Sequence, residues 1–253
     1  MTRHSNYQRG SNQYRKIPKP QRQPAQINES HMVGVDRAVY RFRATFDEHV
    51  WTAANREGST FTLSEVRTLI SGISVGGKST HETEEVLGLI RANEYLASVV
   101  ESGEFQMGRE QSDRINLMVS QYSVLAPGVF RGEGDIGGDG GHVALARGGT
   151  YTAPPPSELP AVYHEIVKNC QKVRDPVERA CLYFCLASRA QLYWDGNKRT
   201  SLTIANGTLL SHGYDAILIP ATDRLEYNEL LDRLFADNDT DSMMVFLAEH
   251  ATY

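Results

Sequence analysis

A chain of 253 residues, with 40% apolar and 23% charged residues, can hold one large domain or two small ones and has an ordinary globular composition. Its net charge of −5 is uneven: residues 1–30 hold six cations and one acid, so the rest carries −10, which argues against nucleic-acid binding by the folded core. No apolar run approaches the roughly 20 residues that span a bilayer, which predicts no membrane span. The N-terminus lacks the apolar stretch of a secretory signal, and three cysteines, an odd number, predict a reducing, cytoplasmic setting.

Residues 1–33 are rich in Gln, Asn, Arg, Ser and Pro and read as a disordered basic arm. Helical patterning begins at Val35, where Val39, Phe42, Phe46 and Val50 recur every three or four residues. A break follows at Asn55 to Ser59. Thr62 then reads as an N-cap, with Glu65 three residues later completing a capping box. Gly76-Gly77 ends that region. A long helix is predicted from Thr80 to Val100, and another from Ser112 to Tyr122. The expected division is an arm over 1–33, an N-terminal helical region over 34–110 and a core domain over 111–253.

Glycines crowd residues 126–156, and Pro127-Gly128 is a turn signal. Strand-like pieces at Val129–Arg131 and His142–Ala146 predict an irregular β-hairpin. Pro154-Pro155-Pro156 opens the next helix, with Ser157 near its cap. Further helices are predicted at 158–172, 175–190, 198–212, 223–235 and 241–251. The class is therefore all-α with one small hairpin. Cys181 and Cys185 share a helix face and read as buried core thiols, with no zinc-site spacing around them.

The chemistry concentrates in Gln191-Leu192-Tyr193-Trp194-Asp195-Gly196-Asn197-Lys198-Arg199. A glycine turn that opens a helix points unpaired N–H groups at one spot, the positive end of the helix dipole. Lys198 and Arg199 add full charge, so this is a phosphate site by its chemistry. Asp195 at its mouth is the kind of ligand Mg²⁺ takes alongside phosphate oxygens. No general base stands in the run; the place where one is expected holds Gln191. Tyr193 and Trp194 read as aromatics packed beside the pocket.

This run resembles the central motif of the Fic (Fido, Fic/Doc) family, with Tyr193 for its aromatic and Asp195 to Arg199 for its loop. Further stretches are similar in the same order: Pro127-Gly128-Val129-Phe130-Arg131 with Ile136-Gly137-Gly138, Pro154-Pro155-Pro156, Asp175 to Ala180, Gly213-Tyr214, Ile219-Pro220, and Arg224 with Tyr227. Upstream, Glu57-Gly58 and Val75 to Lys78 resemble the helical part of larger members. The resemblance spans residues 35 to 250 and implies the mainly helical Fic fold with a hairpin flap. It implies a protein adenylyltransferase that moves AMP from ATP to a hydroxyl of a target protein, with Mg²⁺. Asp195 would hold the metal, and Gly196, Asn197 and Lys198 would cradle phosphate. Arg199 would neutralise the departing pyrophosphate, and Tyr227 would lie on the base side. The segment from Gly132 to Ala146 would hold the target by strand addition, and a homodimer is plausible by the same resemblance.

Two departures follow. Gln191 takes the place of the catalytic histidine and Leu202 that of a second arginine, so impaired transfer is expected. Lys198 resembles the Doc-type branch, which transfers phosphate instead of AMP. The alternatives are therefore a Doc-like phosphotransferase or a non-catalytic regulatory protein that binds a partner. Glu57 resembles the family's inhibitory glutamate. His164 and His212 are the remaining candidate bases outside the motif and read as surface or packing histidines.

Overall fold

The structure, a computed structural model, describes residues 32–138 and 140–251; the expected arm over 1–33 falls almost wholly outside them. Among the described residues there are ten α-helices and one two-stranded sheet. This is the mainly helical architecture with a hairpin that the patterning predicts.

The N-terminal helices are α1 (Val35–Ala44) and α2 (Phe46–Arg56), joined at Thr45. The chain turns after Glu57, at Gly58 with φ 98°, and α3 (Leu63–Ile70) starts at the predicted capping box: Thr62 accepts from Glu65 N–H while the Glu65 side chain reaches back to Thr62 N–H. α4 (Thr80–Glu101) is capped by Ser79. α5 (Arg109–Ser120) begins three residues earlier than predicted, after the extended Gly108.

The hairpin differs from the sequence expectation. β1 (His142–Ala144) pairs with β2 (Thr150–Thr152), in the register Val143 opposite Tyr151. Val129–Arg131 takes no part. Gly148 and Gly149, both at φ near +90°, close the turn, with Leu145 N–H donating to Gly149 O. The 129–131 segment is pulled inward instead, because Phe130 is fully buried between Tyr163 and Tyr193. It makes one bridge to Tyr193 on the motif loop.

A 3₁₀ turn over Pro156–Glu158 leads into α6 (Leu159–Lys172), with no side-chain cap from Ser157. α7 (Pro176–Ala190) starts with Asp175 accepting from Val177 and Glu178 N–H and Pro176 at its first position. α8 (Asn197–Ser211) follows the motif loop, and α9 (Arg224–Asp237) and α10 (Thr240–Glu249) complete the fold.

α8 is the central helix. It packs against α7, α5 and α4 and is buried almost all the way round. Its many hydroxyls would be costly there without partners. Ser201, Thr203 and Thr208 each donate to the carbonyl four residues back, which settles them inside the helix. Cys170, Cys181 and Cys185 are buried, unbridged thiols, and burial pushes Cys170 up to about 12. One apolar core draws residues from α2 through α10, on both sides of residue 110. No helix among the described residues is long and apolar enough to cross a membrane.

Candidate active site

The site is the joint between the end of α7 and the start of α8. α7 stops because Gln191 adopts the left-handed conformation, φ 45° and ψ 55°. A non-glycine residue there costs on the order of 1–3 kcal/mol and persists only when its surroundings fix it. Three contacts do so. The Gln191 side-chain amide donates to Ser188 O at 2.8 Å. Its side-chain oxygen accepts from Asn197 Nδ2 at 3.3 Å. Its backbone carbonyl accepts from Nε of the buried Arg131, whose guanidinium also donates to Pro154 O at 3.1 Å.

The loop then crosses to Gly196, the cap residue of α8, at φ 74°. A Cβ here would lie 3.0 Å from Val119 Cγ2 and 3.2 Å from Asn116 Nδ2, so both backbone conformation and space require glycine. No side chain caps α8, so the first N–H groups of this 15-residue helix open toward the cleft. Asn197 staples the loop: its Oδ1 accepts from Tyr193 N–H and its Nδ2 donates to Tyr193 O, both at 2.8 Å. From α5, Asn116 Nδ2 donates to Asp195 O at 2.9 Å, while its Oδ1 accepts from Gly128 N–H. Tyr193 is buried, with its hydroxyl donating to Asp113 at 2.7 Å.

The charged groups are arranged unevenly. Asp195 keeps a side chain 41% exposed, whereas its partner Arg199 is only 7% exposed. Arg199 donates to Asp195 Oδ2 at 2.9 Å and to Val119 O at 3.3 Å, and lies 3.5 Å from Glu85. Ser123 Oγ donates to the same Oδ2 at 2.7 Å. Burial opposes the Asp195 charge, but Arg199, Ser123 and the Gly196 N–H outweigh it and hold the carboxyl below its usual range. Lys198 points outward and pairs with Glu57 at 3.3 Å.

These groups line a cleft of about 140 Å³ bounded by Glu57, Gln191 and residues 194–199, with Val143 of β1 and Phe235 of α9 as an apolar wall. The hairpin is fastened there: Ala146 N–H donates to Asp232, Arg147 pairs with Asp237, and the Tyr151 ring lies 5.3 Å from Phe235. Trp194 also lines the cleft, with a buried indole N–H that has no acceptor among the described residues.

Of the sequence-predicted residues, Glu57, Gln191, Asp195, Gly196, Asn197, Lys198 and Arg199 meet here. Tyr227 does not. It is buried between Phe184 and Phe246 with Arg56 above its ring, outside the cleft lining. His164 is exposed on α6, and His212 sits at the far end of α8, about 22 Å along the helix, bonded to Thr208 O and Arg179. Asn116, Ser123 and Glu85 escaped sequence reasoning because a lone polar residue within a helix or turn carries no pattern.

Among solved structures, the chain is similar to a Fic-domain-containing signaling protein from Bacteroides thetaiotaomicron, with a TM-score of 0.71 and 20% identity over 85% of this chain and 86% of that one. It is also similar to Fic-1 from C. elegans, with a TM-score of 0.66 and 21% identity over 85% and 63% of the two chains. Among curated proteins it is 26% identical over 213 residues to a protein adenylyltransferase Fic of Drosophila grimshawi, and 24% identical to that of Drosophila melanogaster. The chain has the mainly helical Fic fold. The matched segment is 82% of this chain but 41% of the Drosophila grimshawi Fic protein. No protein-family model matches the chain.

Proposed function

We propose that this Fic-fold protein binds ATP and is built for transfer of AMP to a hydroxyl of a target protein, at a rate lowered by Gln191. The observation that carries the reading is the uncapped N-terminus of α8, which opens onto a cleft holding Asp195 and Lys198. Backbone N–H groups and Lys198 would receive the phosphates. Arg199, nearly buried, adds charge from beneath and orients Asp195. Charge builds on the leaving pyrophosphate in such a transfer, and donors fixed in advance stabilise it.

The site fits Mg²⁺. Asp195 is a partly exposed carboxylate kept ionised by its neighbours, and Mg²⁺ commonly takes one or two carboxylates with phosphate oxygens and waters. When bound, the ion would offset charge on the phosphates.

Gln191 supports the impaired rate. Its amide has no basicity near neutral pH, and both its ends are engaged, one by Ser188 and one by Asn197. Loss of a general base costs about 10²–10⁴-fold. The Glu57–Lys198 pair lies where phosphate would enter, which supports an inhibitory part for Glu57. At 27% and 34% side-chain exposure such a pair stabilises by about 0–1 kcal/mol, so the brake is weak. The hairpin wall at Val143 is the proposed seat of the target segment.

Lys198 in the loop favours one competing reading, Doc-like transfer of phosphate. Incubation with Mg²⁺ and ATP labelled at the α- or γ-phosphate separates them. Slow α-label on protein is the expected result. γ-label alone would replace this reading with phosphoryl transfer, and ATP binding with no label would leave a partner-binding role.

A further inference from the structure

Beneath the cleft lies a second, more enclosed cavity of about 20 Å³, room for one water. Arg199 lines both spaces. The end of α2 divides between them as well: Glu57 faces the outer cleft and Arg56 the inner cavity. The inner walls are mixed, with Asn93, Thr203 and Asn206 beside Leu89, Leu202 and Ile217.

Arg56 is loosely held for a guanidinium in such a place. It donates to Ile219 O at a long 3.4 Å and lies 5.6 Å over the Tyr227 ring. Among the described residues no carboxylate stands within ion-pair distance of it. Burial pushes its pKa down, the sign of a charge that has lost water without full compensation. Arg199, by contrast, is tied to Asp195 and Glu85. Arg56 is half-buried, and an anion arriving beside it would gain charge-assisted contacts without displacing a carboxylate. The anion would come from the cleft next door, past Arg199.

We propose that Arg56 receives the terminal phosphate of a nucleoside triphosphate and makes this site distinguish triphosphates from diphosphates. The inference rests on the proposed nucleotide site. The α8 N-terminus and Lys198 take the inner phosphates, and Arg56 swings off Ile219 to meet the last one. The weak 3.4 Å contact makes that movement cheap.

The test is calorimetric titration of the full chain with ATP, ADP and AMP, repeated for Arg56→Met, Arg56→Gln and Arg56→Lys, with thermal melts to confirm folding. The parent should bind ATP at least about tenfold more tightly than ADP, the increment of one charge-assisted contact. Arg56→Met or Arg56→Gln should bring that ratio near one with ADP affinity unchanged, and Arg56→Lys should restore part of it. Competition between tripolyphosphate and pyrophosphate on the parent gives the same preference without any variant. An unchanged ATP/ADP ratio in the variants, equal weakening of both nucleotides, or no preference in the parent overturns the role of Arg56 and leaves the nucleotide site standing. No binding of any nucleotide overturns both.

Discussion

Lys198 Nζ and Glu57 Oε1 lie 3.3 Å apart across the mouth of the cleft, so the loop's outward cation meets the end of α2. Replacing Glu57 with Gln removes the competitor for incoming phosphate. ATP should bind up to about fivefold more tightly, in keeping with an exposed pair worth 0–1 kcal/mol, and the gain should shrink at high salt. Titrations at two salt concentrations check it.

Asn116 should matter far more than its exposed neighbours. It is fully buried and bonds Asp195 O, Thr200, Gly128 N–H and Ser120 at once. Asn116→Ala strands buried partners and should cost about 2–3 kcal/mol, or roughly 4–12 °C in Tm. A melt within 1–2 °C of the parent would mean that α5 does not hold the loop.

Gly196→Ala should disturb the site and the fold together. The residue sits at φ 74° with Val119 and Asn116 against the place of its Cβ. A loss on the order of 1–3 kcal/mol is expected, with weakened ATP binding. Melts and titrations of one preparation read both.

His49 predicts a pH effect. It is buried against Phe42, and burial, helped by Arg56, lowers its pKa to about 3. The folded state therefore keeps it neutral, while the unfolded chain takes up a proton below about pH 6.5. The unfolded state then binds more protons, so this group's contribution falls as pH drops from about 6.5 toward 3, by up to about 1.4 kcal/mol per unit, and is flat above 6.5. The loss of stability between pH 6.5 and 4.5 should be smaller in His49→Phe than in the parent. Equal slopes would contradict the burial argument.

Much of this was legible in the residues. The capping box at Thr62 and Glu65 is a local motif and formed as read. The loop from Asp195 to Arg199 was legible because charge, glycine and amide must stand in order to bind an anion. The hairpin was harder. Val129–Arg131 looks like a strand by its side chains, yet Phe130 gains more from burial between two tyrosines than from pairing with His142–Ala144. Which strand pairs with which is set by turns, and the Gly148-Gly149 turn decided it. Arg56 and Ser123 gave no signal, since their roles arise only when distant elements meet.

The most direct measurement of the central claim compares AMP transfer by the parent with that by Gln191→His, using α-labelled ATP and Mg²⁺. The histidine should raise the rate by about 10²–10⁴-fold while ATP affinity stays the same. Equal rates in the two proteins would contradict it, because Gln191 would then not stand where the general base is missing.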